Sequence, residues 1–429
     1  MSEPTTPRAS ASGVGAVQPA SDMGAVARPR KRARSRRRRL LIGGLALAAI
    51  SLVVTEVALR AASKVPKRLG VVVLGRFTLP PWRPSPGAVR AWQELIADAK
   101  YMVPDPDLGW TLGRSVVPVE ADDRYSTNPQ GVRAPVDRVY APQPPAGKVR
   151  VVCVGDSFTH GDGVALEDTW EAKLEGLDGR LEVLNMGTPA YGTDQSFLRW
   201  RKEGRAFTAH AVILGIWPEN LCRNLNLIRF WLSPQSGFSA KPRFVLAPGG
   251  ELRLVNSPVP QGEELVAAVT DPASWGLIQH ERWFEGTVIE RHFLDNSRLV
   301  RVLRGLVTAN DRRGQRRRIY SGEEPEGIAV TTGIARLFAS EVQETGAVPV
   351  VAIMPMRDLL EEWPEDDDLP LVVELRRAGL TVVNLFPAVR GLEGAFQPDG
   401  HLTPRGNEAV AAELARKLPG LVPALAPAR

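Results

Sequence analysis

The sequence predicts an α/β fold in which helices cover both faces of a parallel β-sheet. Five short runs of mostly Val, Ile and Leu are typical of buried strands, and helical patterns lie between and after them. Strands covered on both faces have near-continuous aliphatic sequences, and this strand–helix repetition favours a doubly wound sheet. The predicted strands are residues 149–154, 181–184, 211–214, 348–354 and 380–385, and the predicted helices lie near residues 166–177, 194–205, 331–345, 369–378 and 404–418.

The composition is that of a globular protein. The chain has 429 residues, of which 44% are hydrophobic and 24% charged. These values exclude a collagen, a wholly disordered chain and a disulfide scaffold, and the length allows two or three domains. Cys153 lies in a predicted strand and Cys222 follows another, so we expect both to be small, buried, hydrophobic residues.

The positive charge is concentrated at the N-terminus. The formal net charge of the chain is +6, but residues 1–39 hold ten basic side chains against Glu3 and Asp22. The rest of the chain is therefore close to neutral. A nucleic-acid-binding protein would carry basic charge on its folded surface, so the distribution argues against a nucleic-acid partner.

An apolar stretch follows this basic segment. Residues 1–39 are predicted to be a disordered cytoplasmic tail, and residues 40–60 contain only Glu56 and Arg60 as charged side chains. As a helix, the second range would span about 30 Å, the thickness of a bilayer core. We therefore expect a single-pass anchor in the cell membrane, with the cationic flank in the cytoplasm and the following residues outside. A cleaved signal peptide and a nuclear-localisation sequence are the alternatives.

Polar residues follow the predicted strands. Ser157 comes just after the first strand, Asn220 after the third, and His401 after the fifth. Because the carboxyl ends of parallel strands lie at one edge of a sheet, these side chains are expected to converge there. Serine is a poor nucleophile unless a base removes its proton, and imidazole is suited to that task near neutral pH. The pattern favours nucleophilic catalysis.

The blocks that carry these residues resemble the SGNH (GDSL-type) hydrolases. Gly155-Asp156-Ser157 resembles the family's first block, Gly187 its second, Asn220 its third, and the segment with Asp399 and His401 its last. The blocks occur in order along about 270 residues. The resemblance implies a three-layer, flavodoxin-like fold whose five parallel strands have the order 2-1-3-4-5.

The resemblance also implies the roles of these residues. Ser157 would be the nucleophile, His401 the general base and Asp399 the third member of the triad. The oxyanion hole would combine the backbone N–H groups of Ser157 and Gly187 with the side-chain amide of Asn220. More narrowly, the segment 105–110, which reads Asp-Pro-Asp-Leu-Gly-Trp, is similar to an element of membrane-anchored bacterial members.

Two positions depart from the family pattern. The family's last block has Asp three residues before His, and Pro398 stands there; Asp399 is two residues before. A carboxylate from another loop therefore stays an alternative partner for His401. In the third block Leu221 replaces the usual Asp after Asn220, which leaves the oxyanion donor itself in place.

Several other polar residues have simpler interpretations. His160 is expected at a surface position at a helix start, and Asp194 and Gln195 are expected to cap a helix. The five histidines show no metal-ligand spacing, and hydrolysis of this type needs neither a metal nor another cofactor.

Two regions lie outside the predicted core. Residues 61–146 form a juxtamembrane extension, residues 147–418 the hydrolase-like domain, and residues 419–429 a tail. Within the domain, residues 225–325 form an insertion that contains a predicted hairpin (residues 242–255, around Gly249-Gly250) and a predicted helix (Trp275 to Leu306). The insertion is either a lid or substrate-binding wall beside the site or a packing flap; both interpretations stay open.

Together these features predict a membrane-anchored serine esterase. We expect hydrolysis of a small O-acyl ester, with an acylated carbohydrate as a candidate substrate. An O-acyltransferase with the same nucleophile and a non-catalytic glycan-binding protein on the same fold are the alternatives. The acyl group, the alcohol and the oligomeric state are not predicted by the sequence.

Overall fold

The computed structural model describes residues 30–117, 125–363 and 368–426. These residues fall into two compact units, one that ends at Val57 and one that comprises Ala58–Arg429. All of the predicted site residues belong to the second unit.

The described residues contain fifteen α-helices, twelve strands and several short 3₁₀ turns. The helices are α1 (Arg30–Ala62), α2 (Pro86–Ala97), α3 (Ser157–His160), α4 (Trp170–Leu177), α5 (Thr193–Lys202), α6 (Asn220–Arg223), α7 (Arg229–Leu232), α8 (Gly262–Thr270), α9 (Gly286–Ile289), α10 (Arg298–Ser321), α11 (Glu326–Glu344), α12 (Arg357–Glu362), α13 (Pro370–Arg377), α14 (Phe386–Val389) and α15 (Pro404–Leu421). The strands are β1 (Ser63–Lys64), β2 (Val72–Leu74), β3 (Phe77–Leu79), β4 (Met102–Asp105), β5 (Gly109–Leu112), β6 (Val149–Val154), β7 (Leu181–Asn185), β8 (Ala211–Ile216), β9 (Arg243–Leu246), β10 (Leu252–Val255), β11 (Val348–Ile353) and β12 (Val382–Asn384). The 3₁₀ turns are Leu166–Asp168, Gly204–Ala206, Pro234–Ser236, Pro272–Ser274, Ile278–His280, Phe293–Asn296 and Pro423–Leu425.

The predicted fold class is confirmed by a five-stranded parallel sheet. Its strands run in the order β7-β6-β8-β11-β12, which is 2-1-3-4-5 in chain order. All four pairings are parallel, and each of the five strands corresponds to one of the aliphatic runs. The chain passes from β6 to β7 on one side and then crosses to β8 on the other side of β6, so the strand order switches at β6. The carboxyl ends of β6, β7 and β8 therefore form the crevice in which such folds bind ligands.

Helices cover both faces of the sheet, as the near-continuous aliphatic sequences predict. Successive residues of β6 enter opposite cores: Val152 and Val154 pack on one side with α5 and α11, while Val151 and Cys153 pack on the other with α4 and α15. Burial of such an aliphatic side chain stabilises the fold by about 1.5–3 kcal/mol relative to its exposure. Both cysteines are buried and free, as predicted.

Side-chain caps fix where two of the flanking helices begin. Thr169 accepts a hydrogen bond from the Ala172 N–H at the start of α4, and Thr403 accepts one from the Gly406 N–H at the start of α15. Such caps satisfy amide groups that a helix leaves without partners.

Some predicted boundaries differ from the structure. The helix predicted at residues 331–345 begins earlier, at Glu326, and the last helix continues to Leu421 instead of residue 418. The predicted tail is therefore partly ordered, because Val422 and Leu425 are buried in the core beside β7 and α15. The start of α11 and the end of α15 are both extended because apolar side chains there are buried against other elements. The local sequence pattern does not show these long-range contacts.

The N-terminal apolar segment forms the greater part of a longer helix, α1. Residues 1–29 of the predicted tail lie outside the described residues, but residues 30–39 are helical instead of disordered. The part Arg34–Ala62 is long and apolar enough to cross a membrane, and a signal sequence would meet the same criterion.

The extension that follows α1 is folded and packs on the parallel-sheet domain. It contains a three-stranded antiparallel sheet, helix α2 and the β4–β5 hairpin. The Trp110 indole N–H donates to the Pro189 carbonyl at 3.0 Å, and the Gln195 side chain donates to the Leu108 carbonyl at 2.8 Å. The extension therefore supports the loop between β7 and α5, which belongs to the predicted site.

The insertion is correctly predicted in one part and wrongly in another. The hairpin is confirmed as β9 and β10, but the predicted helix from Trp275 to Leu306 is wrong over most of its length, because α10 begins only at Arg298. Short turns precede it, since single aromatic residues are fixed by contacts with the core. The Trp283 indole N–H, for example, donates to the Cys222 carbonyl at 2.9 Å.

A buried ion pair joins the insertion to the core and yields a stability prediction. Lys241 Nζ lies 2.5 Å from Asp194 Oδ2, and neither side chain is exposed to solvent. We expect Lys241→Met alone to lower the free energy of unfolding by about 3–5 kcal/mol, because the Asp194 carboxylate then stays buried without a counter-ion. Chemical denaturation measures the change.

The matched controls separate the charge effect from packing. Adding Asp194→Leu to Lys241→Met removes both charges and should recover most of the loss. Arg90→Met, which breaks the exposed pair with Glu263, should change stability little. A Lys241→Met variant as stable as the native chain would contradict the assignment of this pair as the link between insertion and core.

Candidate active site

The turn after β6 fixes Ser157 at the start of α3. Asp156 caps this short helix by accepting a hydrogen bond from the Phe158 N–H at 2.9 Å. A side chain at Gly155 has no room, because its Cβ would lie 2.0 Å from Thr159 Oγ1. The turn is thus tightly constrained, and Ser157, which is almost buried, has one defined position at the edge of the sheet.

Ser157, His401 and Asp399 form a continuous hydrogen-bonded chain. His401 Nε2 lies 2.9 Å from Ser157 Oγ, and His401 Nδ1 lies 3.0 Å from Asp399 Oδ2. The other carboxylate oxygen, Oδ1, accepts a hydrogen bond from the His401 backbone N–H at 3.2 Å. The Phe158 ring packs beside the imidazole, with 5.1 Å between ring centroids. The imidazole is therefore held on both sides in an orientation that directs Nε2 at the hydroxyl.

The shortened spacing between Asp399 and His401 is accommodated by Gly400. This glycine has a φ of 96°, in the region that favours glycine, and its N–H donates to the Gln397 carbonyl at 3.0 Å. The tight bend brings the Asp399 carboxylate to His401, so that no carboxylate is needed at position 398, where the family pattern has Asp. The carboxylate thus comes from the last block itself.

The charge state of Asp399 agrees with an orienting role. Partial burial would raise the pKa of its carboxyl, but hydrogen bonds from the side chain and backbone of His401 outweigh that effect, so the pKa lies below its usual value. The carboxylate is ionised at neutral pH. A carboxylate in this state holds the proton on Nδ1 and leaves Nε2 to accept one from Ser157.

Asn220 lies beside Ser157, and its side-chain amide is fully engaged. Asn220 Nδ2 donates to Asp156 Oδ2 at 2.9 Å and to the Tyr191 carbonyl at 3.1 Å, while its Oδ1 accepts from the Trp217 N–H. The predicted donor is therefore in the right place, but both of its hydrogens already have acceptors.

Gly187 does not present a free N–H group, which corrects the sequence-based expectation. Its N–H donates to the Asn185 side chain at 3.0 Å. A Cβ at this position would lie 2.2 Å from the His160 backbone nitrogen. Glycine is required there because the loop after β7 packs directly against the backbone of the nucleophile turn.

Two other amides are free to bind an oxyanion. The backbone N–H groups of Ser157 and Ala190 have no acceptor within the described parts of the chain. Ala190 adopts a φ of 65°, which is unusual for a residue with a Cβ, and it is partly exposed. No residue type marks this position in the sequence, since the signal is a backbone conformation.

Arg223 is a further site residue that the sequence did not indicate. Its Nη1 lies 3.2 Å from Asp156 Oδ2 and 2.9 Å from the Tyr191 carbonyl oxygen. Burial raises the pKa of the Asp156 carboxyl, and the positive charge of Arg223 opposes this rise. The guanidinium therefore helps to keep a carboxylate behind the nucleophile.

The expected surface position of His160 is wrong. The side chain is fully buried, with Nδ1 2.5 Å from Asp162 Oδ1 and Nε2 2.5 Å from the Tyr101 hydroxyl. Burial lowers the pKa of His160, and the attraction of Asp162 opposes this shift. The residue joins the extension to the nucleophile turn. Gln195, by contrast, caps α5 as predicted, since its side chain accepts from the Gly192 N–H.

The different roles of two neighbouring positions can be tested by exchanging glycine and alanine. Gly187→Ala should abolish activity and lower the thermal midpoint by several degrees, because the new Cβ would collide with backbone atoms of the nucleophile turn. Ala190→Gly should keep both the N–H and the activity, and it relieves a strained φ. Ester hydrolysis and thermal unfolding measure both variants. A fully active, stable Gly187→Ala chain would contradict this packing.

Comparison with known proteins adds the following findings. No model of a protein family matches the chain, and no curated protein matches it. Among solved structures, a lipolytic protein of the G-D-S-L family from Desulfitobacterium hafniense DCB-2 is 12% identical, with a TM-score of 0.34 over 63% of this chain and 99% of that one. A lipase/acylhydrolase from Enterococcus faecalis is 14% identical, with a TM-score of 0.31 over 63% and 96%. A variant of an acetylxylan esterase from Geobacillus stearothermophilus is 10% identical, with a TM-score of 0.32 over 63% and 95%.

At these values the likeness concerns the fold alone, and function must be argued from the site. In strand order and in the arrangement of serine, histidine and carboxylate at the edge of the sheet, the chain is similar to the SGNH (GDSL-type) hydrolases.

Proposed function

We propose that the chain is a serine esterase that acts on a small O-acyl ester. The observation that carries this proposal is the hydrogen-bonded chain from Ser157 through His401 to Asp399. This arrangement activates a hydroxyl that is otherwise a weak nucleophile. A non-catalytic role would not require these three side chains to be joined by hydrogen bonds. The same observation therefore argues against a glycan-binding protein without activity.

The reaction proceeds in two stages. Ser157 Oγ attacks the ester carbonyl carbon while His401 Nε2 takes the hydroxyl proton. The tetrahedral intermediate collapses as the imidazolium returns that proton to the leaving alcohol, which leaves an acyl–Ser157 ester. Water then attacks this ester with the same base, and the acid and free Ser157 are released. Asp399 stabilises the imidazolium in both stages without accepting the proton.

The oxyanion is bound by the N–H groups of Ser157 and Ala190. Each such donor contributes about 3 kcal/mol to stabilisation of the transition state when it is correctly placed. Asn220 positions the Tyr191 carbonyl and the Asp156 carboxylate, and thereby the turns that carry both donors. Its own amide would reach the oxyanion only after one of these bonds is given up. Gly187, whose N–H is engaged, has a packing role.

The proposed substrate is an ester of a small acyl group, with an acylated carbohydrate as the first class to test. The acetylxylan esterase among the similar structures acts on such an ester, which supports this choice by analogy of fold only. The apolar part of helix α1 and the cations at its N-terminal end support a cell-membrane protein whose hydrolase domain lies outside the cytoplasm. Acyl transfer to an added sugar that exceeds hydrolysis would identify an O-acyltransferase instead.

The division of labour in the triad gives a test with purified full-length chain. Ser157→Ala and His401→Ala should each lower hydrolysis of an acyl-ester substrate by about 10⁴-fold or more, and the double variant should be scarcely worse, because the two groups act as one unit. Asp399→Asn should be less severe and should leave slow labelling by a fluorophosphonate probe. His292→Ala, at an exposed histidine, is the matched control and should be fully active.

Outcomes that contradict the assignment are distinct for each residue. Undiminished hydrolysis by Ser157→Ala would show that Ser157 is not the nucleophile and would contradict the esterase proposal. Undiminished hydrolysis by Asp399→Asn would show that the carboxylate does not orient His401 during the reaction.

The proposed topology is tested with reporters fused after Arg429. Alkaline phosphatase, which needs an oxidising compartment, should be active there, whereas a fluorescent protein that folds only in the cytoplasm should be dark. Replacing the arginines at positions 36–39 with glutamines should weaken this bias, because the cationic flank determines orientation. Cytoplasmic activity of the native fusion would contradict the topology and the proposed extracytoplasmic substrate.

A further inference from the structure

An apolar cavity lies against the loop that carries Ala190. It has a volume of about 590 Å³, within the range of small-molecule sites. Its lining comes mainly from α2 and the β4–β5 hairpin of the extension, including Trp92, Ile96 and Trp110. The insertion contributes Arg229 from the start of α7.

Two residues of the cavity lining carry three buried donor atoms without acceptors. Nε and Nη1 of Arg229 and the indole Nε1 of Trp92 are buried atoms that have no hydrogen-bond partner among the described residues. Arg229 is only 6% exposed, and no carboxylate within those residues forms an ion pair with it. A buried guanidinium normally has such a partner, since an uncompensated buried charge costs several kcal/mol.

The surroundings of Arg229 compensate its charge only in part. Burial lowers the pKa of its guanidinium to about 9, and repulsion by Arg223 adds to this effect. Attraction by Glu219 and Glu281 opposes the shift, but Glu219 forms its ion pair with Arg316. Arg229 is still charged at neutral pH. The site therefore combines a large apolar wall with a buried guanidinium that has no ion-pair partner among the described residues, while the exposed Asp98 and Lys100 also belong to the lining. An apolar ligand with an anionic group would supply that partner.

The cavity shares one residue, Ala190, with the proposed catalytic site. Ala190 lines it and precedes Tyr191, whose carbonyl accepts from Asn220, which in turn donates to Asp156 beside the nucleophile. A group that extends past Ala190 from an ester bound at Ser157 would enter the space between the two tryptophans.

We propose that this cavity binds the part of the substrate beyond Ala190, and that this part is apolar with an anionic oxygen group, a carboxylate or a phosphate, bound by Arg229 and Trp92. The inference rests on the proposed esterase function for the identity of the ligand as substrate. The binding site itself does not depend on hydrolysis. Within the proposed class of O-acyl esters, the inference selects those with an apolar, anionic part beyond Ala190.

Binding is measured on the full-length chain with Ser157→Ala, so that no turnover occurs. Octanoate, octyl phosphate and octanol are titrated by isothermal calorimetry against protein in detergent, with protein-free micelles as the blank. We expect the anion that matches the site to bind at least tenfold more tightly than octanol. Preference for octanoate identifies a carboxylate ligand, and preference for octyl phosphate a phosphate ligand.

Substitutions then separate the charge from the apolar wall. Arg229→Met should reduce affinity for the preferred anion to that of octanol and leave octanol binding unchanged. Trp92→Phe, which keeps a ring but removes the N–H, should weaken only anion binding, by a few-fold. Arg336→Met, at an exposed arginine of α11, is the matched control and should have no effect.

Thermal unfolding shows whether a loss of anion binding in Arg229→Met is caused by misfolding. Arg229→Met should unfold at the native temperature or above it, because the substitution removes a buried charge that has no ion-pair partner among the described residues. Equal affinity for octanol and both anions, or unchanged anion affinity in Arg229→Met, would overturn the proposal. Fluorophosphonate labelling of the chain with native Ser157 tests the esterase function separately, so that the two failures can be distinguished.

Discussion

The buried carboxylate of Asp156 holds the site together. It caps the helix that begins with Ser157, and its second oxygen accepts hydrogen bonds from Asn220 and Arg223, which follow β8. The same two donors bind the Tyr191 carbonyl in the loop after β7. Asp156 and its two donors thus connect the ends of three adjacent strands. Because a buried carboxylate is costly unless its oxygens are hydrogen-bonded, these loops must adopt positions that satisfy it.

The sheet could be predicted because its strands carry their signal locally. Residues such as Val151 and Val152 are buried on opposite faces, so an aliphatic run alone indicates a covered strand. The insertion could not be predicted in the same way. Trp283 and Arg298 lie in one stretch of helix-compatible sequence, but the first is fixed by the distant Cys222 carbonyl and only the second begins a helix. Long-range contacts override weak local propensity there.

The sequence predicts those site residues whose role depends on the chemistry of the side chain. Ser157, His401 and Asp399 have chemistry that a sequence displays, and the bend at Gly400 accounts for the unusual spacing of the last two. Gly187 and Ala190 differ by backbone conformation and by the occupancy of an N–H group, which no residue letter encodes. Arg223 and His160 owe their places to burial between elements that are far apart in the chain.

The residues proposed for catalysis and those proposed for substrate selection lie on different parts of the fold. The triad lies on the loops of the parallel sheet, whereas the cavity wall comes from α2, the β4–β5 hairpin and the insertion. The hairpin β9–β10 is not part of that wall; Phe244 packs on Phe197 of α5, as a packing flap would. The extension therefore does more than connect α1 to the sheet, because Trp110 both supports the Pro189 carbonyl and lines the cavity. A buried guanidinium without an ion-pair partner among the described residues, such as Arg229, is expected to cost stability, and functional sites are where proteins retain such costs.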